Sequence, residues 1–340
     1  MNKEERKPKI GIIPGDPSGI GPELIAKFLC DEEVTTENNV LLIGDRHVFE
    51  LGQSQADKSY NLVPVDARNE DWIHTPSFAF FENHTIEPED VVIGEVTLES
   101  GLSAMANLNL GLDLIKQGII EALVFAPFNK EALKLGGLQF QDELHHMKDY
   151  LNYDGYITEL NTLEGFWTSR VTSHIALKEV SNAITEKKII NAIELIDRTL
   201  KRSGVKRPRI AVAALNPHAG DGGNFGTEEI DVISPSVKKA GLKQIAVDGP
   251  WPSDTVFLKY TKGEVDAIVT MYHDQGQIAL KLMGFDKGVT VLGGIPHPIT
   301  TPAHGTAFDI AGTGIADIGA FRNAFELAGI MVMNWDQIGG

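Results

Sequence analysis

Short apolar runs alternate along this chain with longer segments in which apolar residues recur every three or four positions. The runs have the length and composition of buried strands, and they cover residues 10–13, 40–43, 122–125, 210–214 and 267–270. The longer segments have the spacing of amphipathic helices, as in residues 22–30, 103–116 and 188–202. This alternation predicts an α/β fold with a largely parallel sheet. The polar stretch at about 50–95 is predicted to be peripheral.

Composition narrows the class of protein. The chain has 340 residues, which suit one large or two medium domains. Its 47 acidic and 30 basic residues give a formal charge of -17, which argues against nucleic-acid or anionic-membrane binding. The single cysteine, Cys30, excludes an internal disulfide. The charged beginning of the chain and the lack of a long apolar segment predict a cytoplasmic location with no membrane partner.

Two glycine-rich motifs are candidates for cofactor binding. Gly15-Asp-Pro-Ser-Gly-Ile-Gly-Pro-Glu23 follows the first predicted strand, and its backbone, chiefly at Gly15, Asp16 and Gly19, could approach a ligand closely. A tight strand-to-helix connection with no ligand explains the same residues equally well. The second motif, residues 304–317, could bind an adenosine through His304, Gly305 and Asp309. Alone, it favours the structural explanation, a loop-to-helix joint in which Gly312 and Gly314 are the breakers.

Three histidines each lie in a polar turn after a predicted strand. They are His174 in Val171-Thr-Ser-His, His218 in Leu215-Asn-Pro-His and His273 in Met271-Tyr-His-Asp. Strand ends meet at one edge of an α/β sheet, so three imidazoles there predict a divalent-metal site with open positions. Residues expected to orient the rings are Asn216, Asp221, Asp274 and Gln275. Zinc, cobalt, nickel or manganese suit imidazoles, whereas magnesium requires substrate oxygens to dominate its shell.

Several motifs in this order resemble those of one enzyme family. They are Gly15 to Glu23, Ala126-Pro-Phe-Asn-Lys130, Thr172-Ser-His174, Leu215 to Gly220, Gly222-Gly-Asn-Phe-Gly-Thr-Glu-Glu229, Gly249-Pro-Trp-Pro-Ser-Asp-Thr255, Tyr272-His-Asp-Gln-Gly276 and His304-Gly-Thr-Ala307. Together they are similar to the 4-hydroxythreonine-4-phosphate dehydrogenase family of vitamin B6 biosynthesis. The first and last motifs also resemble those of isopropylmalate and isocitrate dehydrogenases. The resemblance implies two α/β lobes around a cleft, like isopropylmalate dehydrogenase. Residues 1–125 and about 290–340 would form the cofactor lobe, and about 126–289 the metal lobe.

The resemblance also implies a chemistry. The family uses NAD and a divalent metal to oxidise an alcohol beta to a carboxylate, after which the keto acid decarboxylates. His174, His218 and His273 would be the metal ligands, in a site completed across a homodimer interface. Matching positions make Lys281 a catalytic and substrate-binding residue, Asp254 a proton acceptor or lysine partner, and Asn216 a substrate contact. A surface lysine and a helix-capping aspartate are the alternatives for Lys281 and Asp254.

The chain departs from the family at the expected substrate contacts. Where the family usually has Gly-His-Thr-Glu, this chain has Asp142-Glu-Leu-His145, which places Glu143 and Leu144 at two contact positions and His145 beside them. Thr290 replaces a family asparagine and Ile299 a substrate-binding arginine. Loss of a guanidinium removes about 1.5–3 kcal/mol of charged hydrogen bonding. We therefore predict a paralogue that keeps the redox chemistry of the family and holds a small hydroxy-acid substrate by altered contacts.

Several functions stay open from the sequence. The substrate could be 4-hydroxythreonine 4-phosphate, 4-phospho-threonate, 4-phospho-erythronate, or an unphosphorylated hydroxy acid or dihydrodiol carboxylate. Candidates for a rebuilt phosphate site are Lys130, His145, His146 and His297. A non-catalytic metal- or nucleotide-binding relative is the alternative of another class. A metal-dependent hydrolase or aldolase would also use three histidines but would not bind NAD.

Overall fold

The computed structural model describes residues 6–30, 37–75, 77–284 and 287–335. These residues form two compact units. Unit 1 contains the described residues up to Gly155, together with Val289–Val291 and Ile295–Met333. Unit 2 contains the described residues of Tyr156–Gly288, together with Leu292–Gly294 and residues 334–335.

Unit 1 is built on a mainly parallel sheet. Its strands are β1 (Lys9–Ile13), β2 (Asn39–Gly44), β3 (Leu62–Pro64), β4 (Phe78–Glu82), β5 (Ala122–Phe125), β11 (Val289–Gly293, which ends in unit 2) and β12 (Ile299–Pro302). Their order is β3-β4-β2-β1-β5-β12-β11, and only the β11–β12 pair is antiparallel. The register Ile10↔Val40 and Ile10↔Ala122 places apolar residues side by side in the centre of the sheet. Such continuous apolar runs are expected of strands covered on both faces.

Helices cover this sheet. They are α1 (Gly21–Leu29), α2 (Arg46–Ala56), α3 (Leu98–Lys116), α4 (Lys130–Leu135), α5 (Glu143–Tyr150) and α11 (Gly319–Asn334). Helix α1 begins with Pro22 in its first turn, where proline is favoured because its missing N–H is not needed. Phe28 of α1 packs against Phe321 and Phe325 of α11, with ring centroids 5.3 and 4.9 Å apart. This aromatic cluster joins the first helix to the last one.

Unit 2 is also built from strands and helices. The strands are β6 (Thr158–Leu163), β7 (Phe166–Arg170), β8 (Arg209–Ala213), β9 (Ala246–Trp251) and β10 (Ala267–Thr270), in the order β6-β7-β10-β8-β9. The pairs β7–β10, β10–β8 and β8–β9 are parallel, and β6–β7 is an antiparallel hairpin. The helices are α6 (Val180–Ala183), α7 (Glu186–Arg202), α8 (Ser234–Gly241), α9 (Val256–Thr261) and α10 (His273–Gly284).

The predicted α/β class with a largely parallel sheet is confirmed. The ends of the predicted strands and helices lie within two residues of the observed ends, except that α3 begins five residues before its predicted start. The polar stretch at 50–95 supplies β3 and β4 at the edge of the unit 1 sheet. The first crossing between units was predicted near Ala126 but lies at Gly155. The reason is packing, because Leu133 and Leu138 form a core cluster with Ala104 and Met105 of α3. Within the described residues, no helix is both long and apolar enough to cross a bilayer.

Candidate metal centre and cofactor loops

The three candidate histidines follow three adjacent parallel strands of unit 2. His174 lies four residues after β7, His273 three residues after β10, and His218 five residues after β8. Because β10 pairs with both β7 and β8 in parallel, the turns leave the same edge of the sheet. The fold therefore presents all three imidazoles from one edge, with the His273 turn in the middle.

The structure brings two of these rings together. The ring centroids of His174 and His273 are 5.4 Å apart. His273 donates from Nδ1 to Oδ1 of Asp274 at 2.7 Å, because a carboxylate can only accept. That bond fixes the tautomer and leaves Nε2 as the acceptor nitrogen, which is how proteins commonly prepare a histidine to bind a metal. The predicted orienting role of Asp274 thus has a contact that could perform it.

Short hydrogen bonds hold the turns of His174 and His273 to each other. Thr172 donates from its backbone N and from Oγ1 to the carbonyl of Met271, at 3.1 and 2.7 Å. Gln275 accepts from the Met271 amide and donates to the Ala214 carbonyl, both at 2.7 Å. Gln275 therefore ties two of the turns together through their backbones, whereas the prediction had it orienting a ring.

Arg170, at the end of β7, is a buried cation beside these turns. Only 4% of Arg170 is exposed, and its guanidinium donates to Ser173 Oγ at 3.1 Å, to Asn161 Oδ1 at 3.0 Å and to a carboxylate oxygen of Glu159. Asn161 Oδ1 also accepts from Gln277 of α10, the helix that begins at His273. The Arg170 network thereby contacts both the residue before His174 and the helix that carries His273.

His218 has a different ring contact from that pair. It is exposed, and its ring centroid is 6.1 Å from that of Phe225 in the same loop. Across the described ranges, no group of three or more His, Cys, Asp or Glu side chains is arranged to hold a metal ion. The donor set still fits a divalent ion, because two close imidazoles and a carboxylate that orients one of them are available in one chain. His218 as a third ligand stays a prediction.

The other unit 2 candidates lie on the same elements. Lys281 lies on the exposed side of α10, eight residues after His273. Asp254 is exposed in the turn before α9, whose N-cap is Thr255. Asn216 donates from Nδ2 to Glu228 and Glu229, at 2.7 and 3.0 Å.

Asp221, predicted to orient a ring, accepts from Asn224 at 3.1 Å. Asn216 and Asp221 thus bind residues of their own loop through these side-chain contacts.

In unit 1, the two glycine-rich motifs contact each other directly. Ile20 donates from its backbone N to the carbonyl of Thr306 at 3.1 Å, and a Cβ on Gly19 would lie 2.9 Å from Thr306 Cβ. Glu23, fully buried, accepts from the amides of Gly314 and Ala316 at 3.2 and 2.7 Å. Gly19 is therefore explained by the packing of the second motif against the first.

Asp16 is the most perturbed group of the first motif. Its side chain is fully buried, Oδ1 accepts from the Ser18 amide at 2.9 Å, and Oδ2 has no hydrogen-bond partner among the described residues. Burial raises the pKa of Asp16 to about 6, with the Ser18 bond acting in the opposite direction. An unsatisfied carboxyl oxygen buried beside a candidate cofactor loop is compatible with a ligand that donates a hydrogen bond there.

Gly305 lies in open space, unlike Gly15. Gly15 has a φ of +71° and a Cβ there would lie 2.2 Å from the Ala126 carbonyl oxygen, so the chain itself requires glycine. At Gly305 the φ is ordinary and a Cβ would meet no atom within 4 Å, so nothing in the described fold requires glycine. With His304 preceding it and Asp309 exposed, this backbone fits the close approach of a nucleotide.

The predicted substrate contacts in unit 1 divide into buried and exposed residues. Leu144 is 2% exposed in α5, and Ile299 is fully buried in β12 between β5 and β11. Both side chains belong to the hydrophobic interior, so the structure gives no support to direct substrate contacts from them. His145 is exposed, and its Nδ1 lies 2.6 Å from Oδ1 of Asp142. Glu143 begins α5 and Thr290 lies in β11; both are half-buried.

Two of the four candidates for a phosphate site are at least half-buried. His146 donates from Nε2 to Asn109 at 2.7 Å and packs between Phe140 and Tyr150, so its ring is part of the local packing. Burial lowers the pKa of His146 and of His297, which disfavours the charged form that a phosphate would need. Lys130 and His145 are exposed.

Comparison with known proteins then decides the family. The family model described as pyridoxal phosphate biosynthetic protein PdxA matches residues 36–328. The chain belongs to this family. A relative from Rhizobium meliloti, provisionally named 4-hydroxythreonine-4-phosphate dehydrogenase 2, is 45% identical over 328 residues, which are 96% of this chain and 94% of the relative.

A second relative and a solved structure extend the comparison. The relative is from Oceanobacillus iheyensis, is provisionally named D-threonate 4-phosphate dehydrogenase, and is 36% identical over 333 residues, 95% of this chain and 98% of its own. The crystal structure of 4-hydroxythreonine-4-phosphate dehydrogenase from Klebsiella pneumoniae matches with a TM-score of 0.81 and 33% identity, covering 96% of this chain and all of that one. Family relatives of this chain are thus named as dehydrogenases, which confirms the class expected from the motifs.

Sequence reasoning missed two buried charged residues beside the histidine turns. Arg170 is the charged residue at the end of the strand Phe166–Arg170 and lies three residues before Ser173. Glu229 is the last residue of a motif that contributed to the family resemblance, but the sequence alone does not show which residues it contacts. A charged residue four positions before a candidate ligand, His174, is the signal that would have found Arg170.

Proposed function

We propose that this protein is an NAD-dependent, divalent-metal-dependent dehydrogenase that oxidises a phosphorylated 3-hydroxy acid, whose keto product then loses carbon dioxide. The observation that carries the proposal is the His174–His273 pair, with a ring separation of 5.4 Å and a carboxylate on Nδ1 of His273. Family membership supports the reaction class. When bound, the ion supplies Lewis-acid chemistry and the nicotinamide accepts a hydride.

The chain's own residues would have separate roles. His174, His218 and His273 would hold the ion, and Asp274 would keep Nε2 of His273 available as a ligand. Lys281 and Asp254, both exposed in unit 2, would bind substrate and transfer protons. The open backbone at Gly305 and the exposed Asp309 would bind the nucleotide in unit 1.

We also propose that the metal site is completed in a homodimer. Large apolar side chains are exposed near each histidine, and they are Ile175, Leu177, Phe225, Ile230, Ile278 and Leu282. A contiguous exposed apolar surface marks a site that a protein partner covers, and we propose that these side chains form one. A second copy would remove them from water and would bring further groups to a site for which the described residues of one chain supply no complete ligand cluster.

A test of the reaction uses the full-length protein with NAD, Co²⁺ and a panel of acids. The panel contains 4-hydroxythreonine 4-phosphate, D-threonate 4-phosphate, D-erythronate 4-phosphate and their unphosphorylated forms, and NADH formation is measured. We expect metal-dependent turnover that His218→Ala reduces to background. His84→Ala, an exposed histidine of unit 1, is the matched control and retains turnover. NADH formation that is independent of metal, or none with any acid, would reject the proposal.

D-Threonate 4-phosphate is the second candidate substrate. The relative from Oceanobacillus iheyensis carries that name, and this chain lacks the family's usual side chains at two contact positions, where Leu144 and Ile299 are buried. The two substrates differ in charge, because the amino acid carries an ammonium that the threonate lacks. A higher kcat/KM for D-threonate 4-phosphate than for 4-hydroxythreonine 4-phosphate would assign this substrate.

A further inference from the structure

The loop that carries His218 has an unusual backbone. His218, Ala219 and Asp221 have φ values of 52°, 53° and 45°, and Gly220 and Gly222 have 80° and 67°. With Gly223 at 101°, six consecutive residues have a positive φ, although three of them have a side chain. L-amino acids are disfavoured at positive φ, so such a segment persists only where its surroundings impose it.

Glu229 provides contacts that could impose this conformation. It is 3% exposed, and its Oε1 accepts from the backbone amides of Leu215 and Asn216, both at 2.8 Å. Its Oε2 accepts from Asn216 Nδ2 at 3.0 Å and would lie 2.8 Å from a Cβ on Gly220. The carboxylate thus fixes the two residues that lead into the turn and packs against the turn itself.

The neighbouring Glu228 has a different set of contacts. It is half-buried, and it accepts from Asn216 Nδ2 at 2.7 Å and from Ser181 Oγ at 2.6 Å. Both donors are side-chain groups, so Glu228 does not bind the backbone that enters the left-handed turn through these bonds. Glu229 also begins a one-turn π-helix, Glu229–Ile233, and single π-turns are frequent at functional sites.

We propose that Glu229 is a positioning residue, which holds the left-handed turn so that His218 presents its imidazole to the metal ion. This inference rests on the proposed function, because it assumes that His218 is a ligand. It assigns to Glu229 no contact with metal, substrate or NAD. Its effect is on the position of His218, and loss of its carboxylate should weaken metal binding before it affects the rest of unit 2.

The central experiment compares Glu229→Gln with Val256→Ala in the full-length protein. The carboxamide keeps the shape of the side chain and one acceptor oxygen, but its NH₂ group faces the donor Nδ2 of Asn216. Val256 is 1% exposed in the core cluster of unit 2 and has an apolar side chain, so Val256→Ala lowers the Tm without altering the loop. Co²⁺ titration followed by visible absorption measures the affinity and ligand field of the ion.

We expect Glu229→Gln to weaken Co²⁺ binding by about 10- to 100-fold and to change its absorption spectrum, as loss of groups that orient metal ligands does. Val256→Ala should bind Co²⁺ as the wild type does. Glu228→Gln should have a smaller effect than Glu229→Gln. Chymotrypsin provides a readout without metal, because Phe225 is 52% exposed in this loop. Cleavage at Phe225 should be faster in Glu229→Gln than in Val256→Ala.

The outcomes separate this inference from the function on which it rests. Wild-type affinity and spectrum in Glu229→Gln, with Co²⁺ bound by the wild type, would overturn the positioning role alone. Equal losses of affinity in Glu229→Gln and Val256→Ala would also overturn it, because general destabilisation would then explain both. A wild-type protein that binds no Co²⁺ would overturn the metal-dependent function and this inference together.

Discussion

The glycine-rich motifs of unit 1 and the histidine turns of unit 2 are held in different ways. In unit 1 the two motifs contact each other, through Ile20 and Thr306 and through the Glu23 carboxylate on the amides of residues 314 and 316. In unit 2 the candidate ligands are held by separate groups: Arg170 and Thr172 act at the paired turns, and Glu229 acts at the His218 loop.

The difference concerns how closely the candidate residues of each unit pack against one another. The unit 1 motifs form a packed joint in which glycine has a steric reason at Gly15 and Gly19, and Gly305 alone among these three lies open to a ligand. The unit 2 turns bring two imidazoles within 5.4 Å and leave the third in a loop with exposed apolar neighbours. In the glycine-rich motifs, Gly15 and Gly19 are therefore required by packing, and only Gly305 of these three has space for a ligand beside it. The positions of the candidate histidines depend instead on hydrogen bonds from neighbouring residues.

The largest effect that we expect tests the support of the paired turns. Arg170→Leu should lower the free energy of unfolding by about 3–5 kcal/mol, because it leaves the half-buried Glu159 carboxylate and the buried Asn161 amide without their cation. Urea unfolding measures this. The matched control is Arg209→Leu, since Arg209 forms an exposed ion pair with Asp266 and should cost about 1 kcal/mol or less. Equal costs would show that the Arg170 network does not support these turns.

A second prediction concerns Asp16 in the unit 1 joint. Its folded-state pKa of about 6 lies above the ordinary value of 3.8, so its contribution to stability is complete below pH 3.8 and is lost as the pH rises through about 6. Above that pH the wild type should be destabilised by about 3 kcal/mol, since each unit of pKa difference corresponds to about 1.4 kcal/mol.

Asp16→Asn keeps an acceptor for the Ser18 amide and removes this dependence on pH. We expect the variant to match the wild type near pH 4 and to be more stable by up to about 3 kcal/mol at pH 8. Urea unfolding at both values of pH measures the difference. A constant difference between the two proteins across this range would contradict a raised pKa at Asp16.

The orienting contact in unit 2 gives a third prediction. Asp274→Ala should weaken Co²⁺ binding by about 10-fold, because Nδ1 of His273 loses the carboxylate that fixes its tautomer. Asp274 carries an exposed carboxylate, so the Tm should change little. Asp248→Ala, which removes another exposed carboxylate of unit 2, is the control for a purely electrostatic effect. If both variants lose the same affinity, net charge and not orientation explains the loss.

The smallest effect is expected at Gly305. Gly305→Ala should leave the Tm unchanged, since a Cβ there meets no atom within 4 Å, but should weaken NAD binding by about 10-fold by filling the space beside the backbone. Calorimetric titration with NAD measures the affinity. Gly241→Ala is the matched control, because Gly241 also lies in open space and belongs to the end of α8 in unit 2. Unchanged NAD affinity in Gly305→Ala would place the nucleotide elsewhere.

The strands and helices could be predicted from the sequence because a buried strand has a short run of apolar residues and an amphipathic helix has apolar residues every three or four positions. Residues 10–13 and 122–125 became paired central strands, and α7 begins two residues before its predicted start. The crossing between units could not be located in this way. It depends on Leu133 and Leu138 packing against Ala104 and Met105, contacts between residues about 30 positions apart.

Two of the predicted substrate contacts fall on buried apolar side chains. An ungapped correspondence assigned Leu144 and Ile299 to the substrate, but the fold buries both, since apolar side chains gain free energy by leaving water. The turns of His218 and His273 were recognisable because each follows an apolar strand, and the order β7-β10-β8 places the strands before all three histidines side by side.

By itself, the sequence determined the α/β class, the family motifs and the chemical nature of the candidate ligands, because these depend on residue type and short-range spacing. Only the tertiary structure decided which residues support those ligands. Arg170 meets Asn161 and Glu159 across a hairpin, and Glu229 reaches back 14 residues to Leu215. A buried charged group forms hydrogen bonds with whichever polar groups lie beside it in the folded protein. Those groups become neighbours only after the strands have paired and the loops have adopted their final conformation.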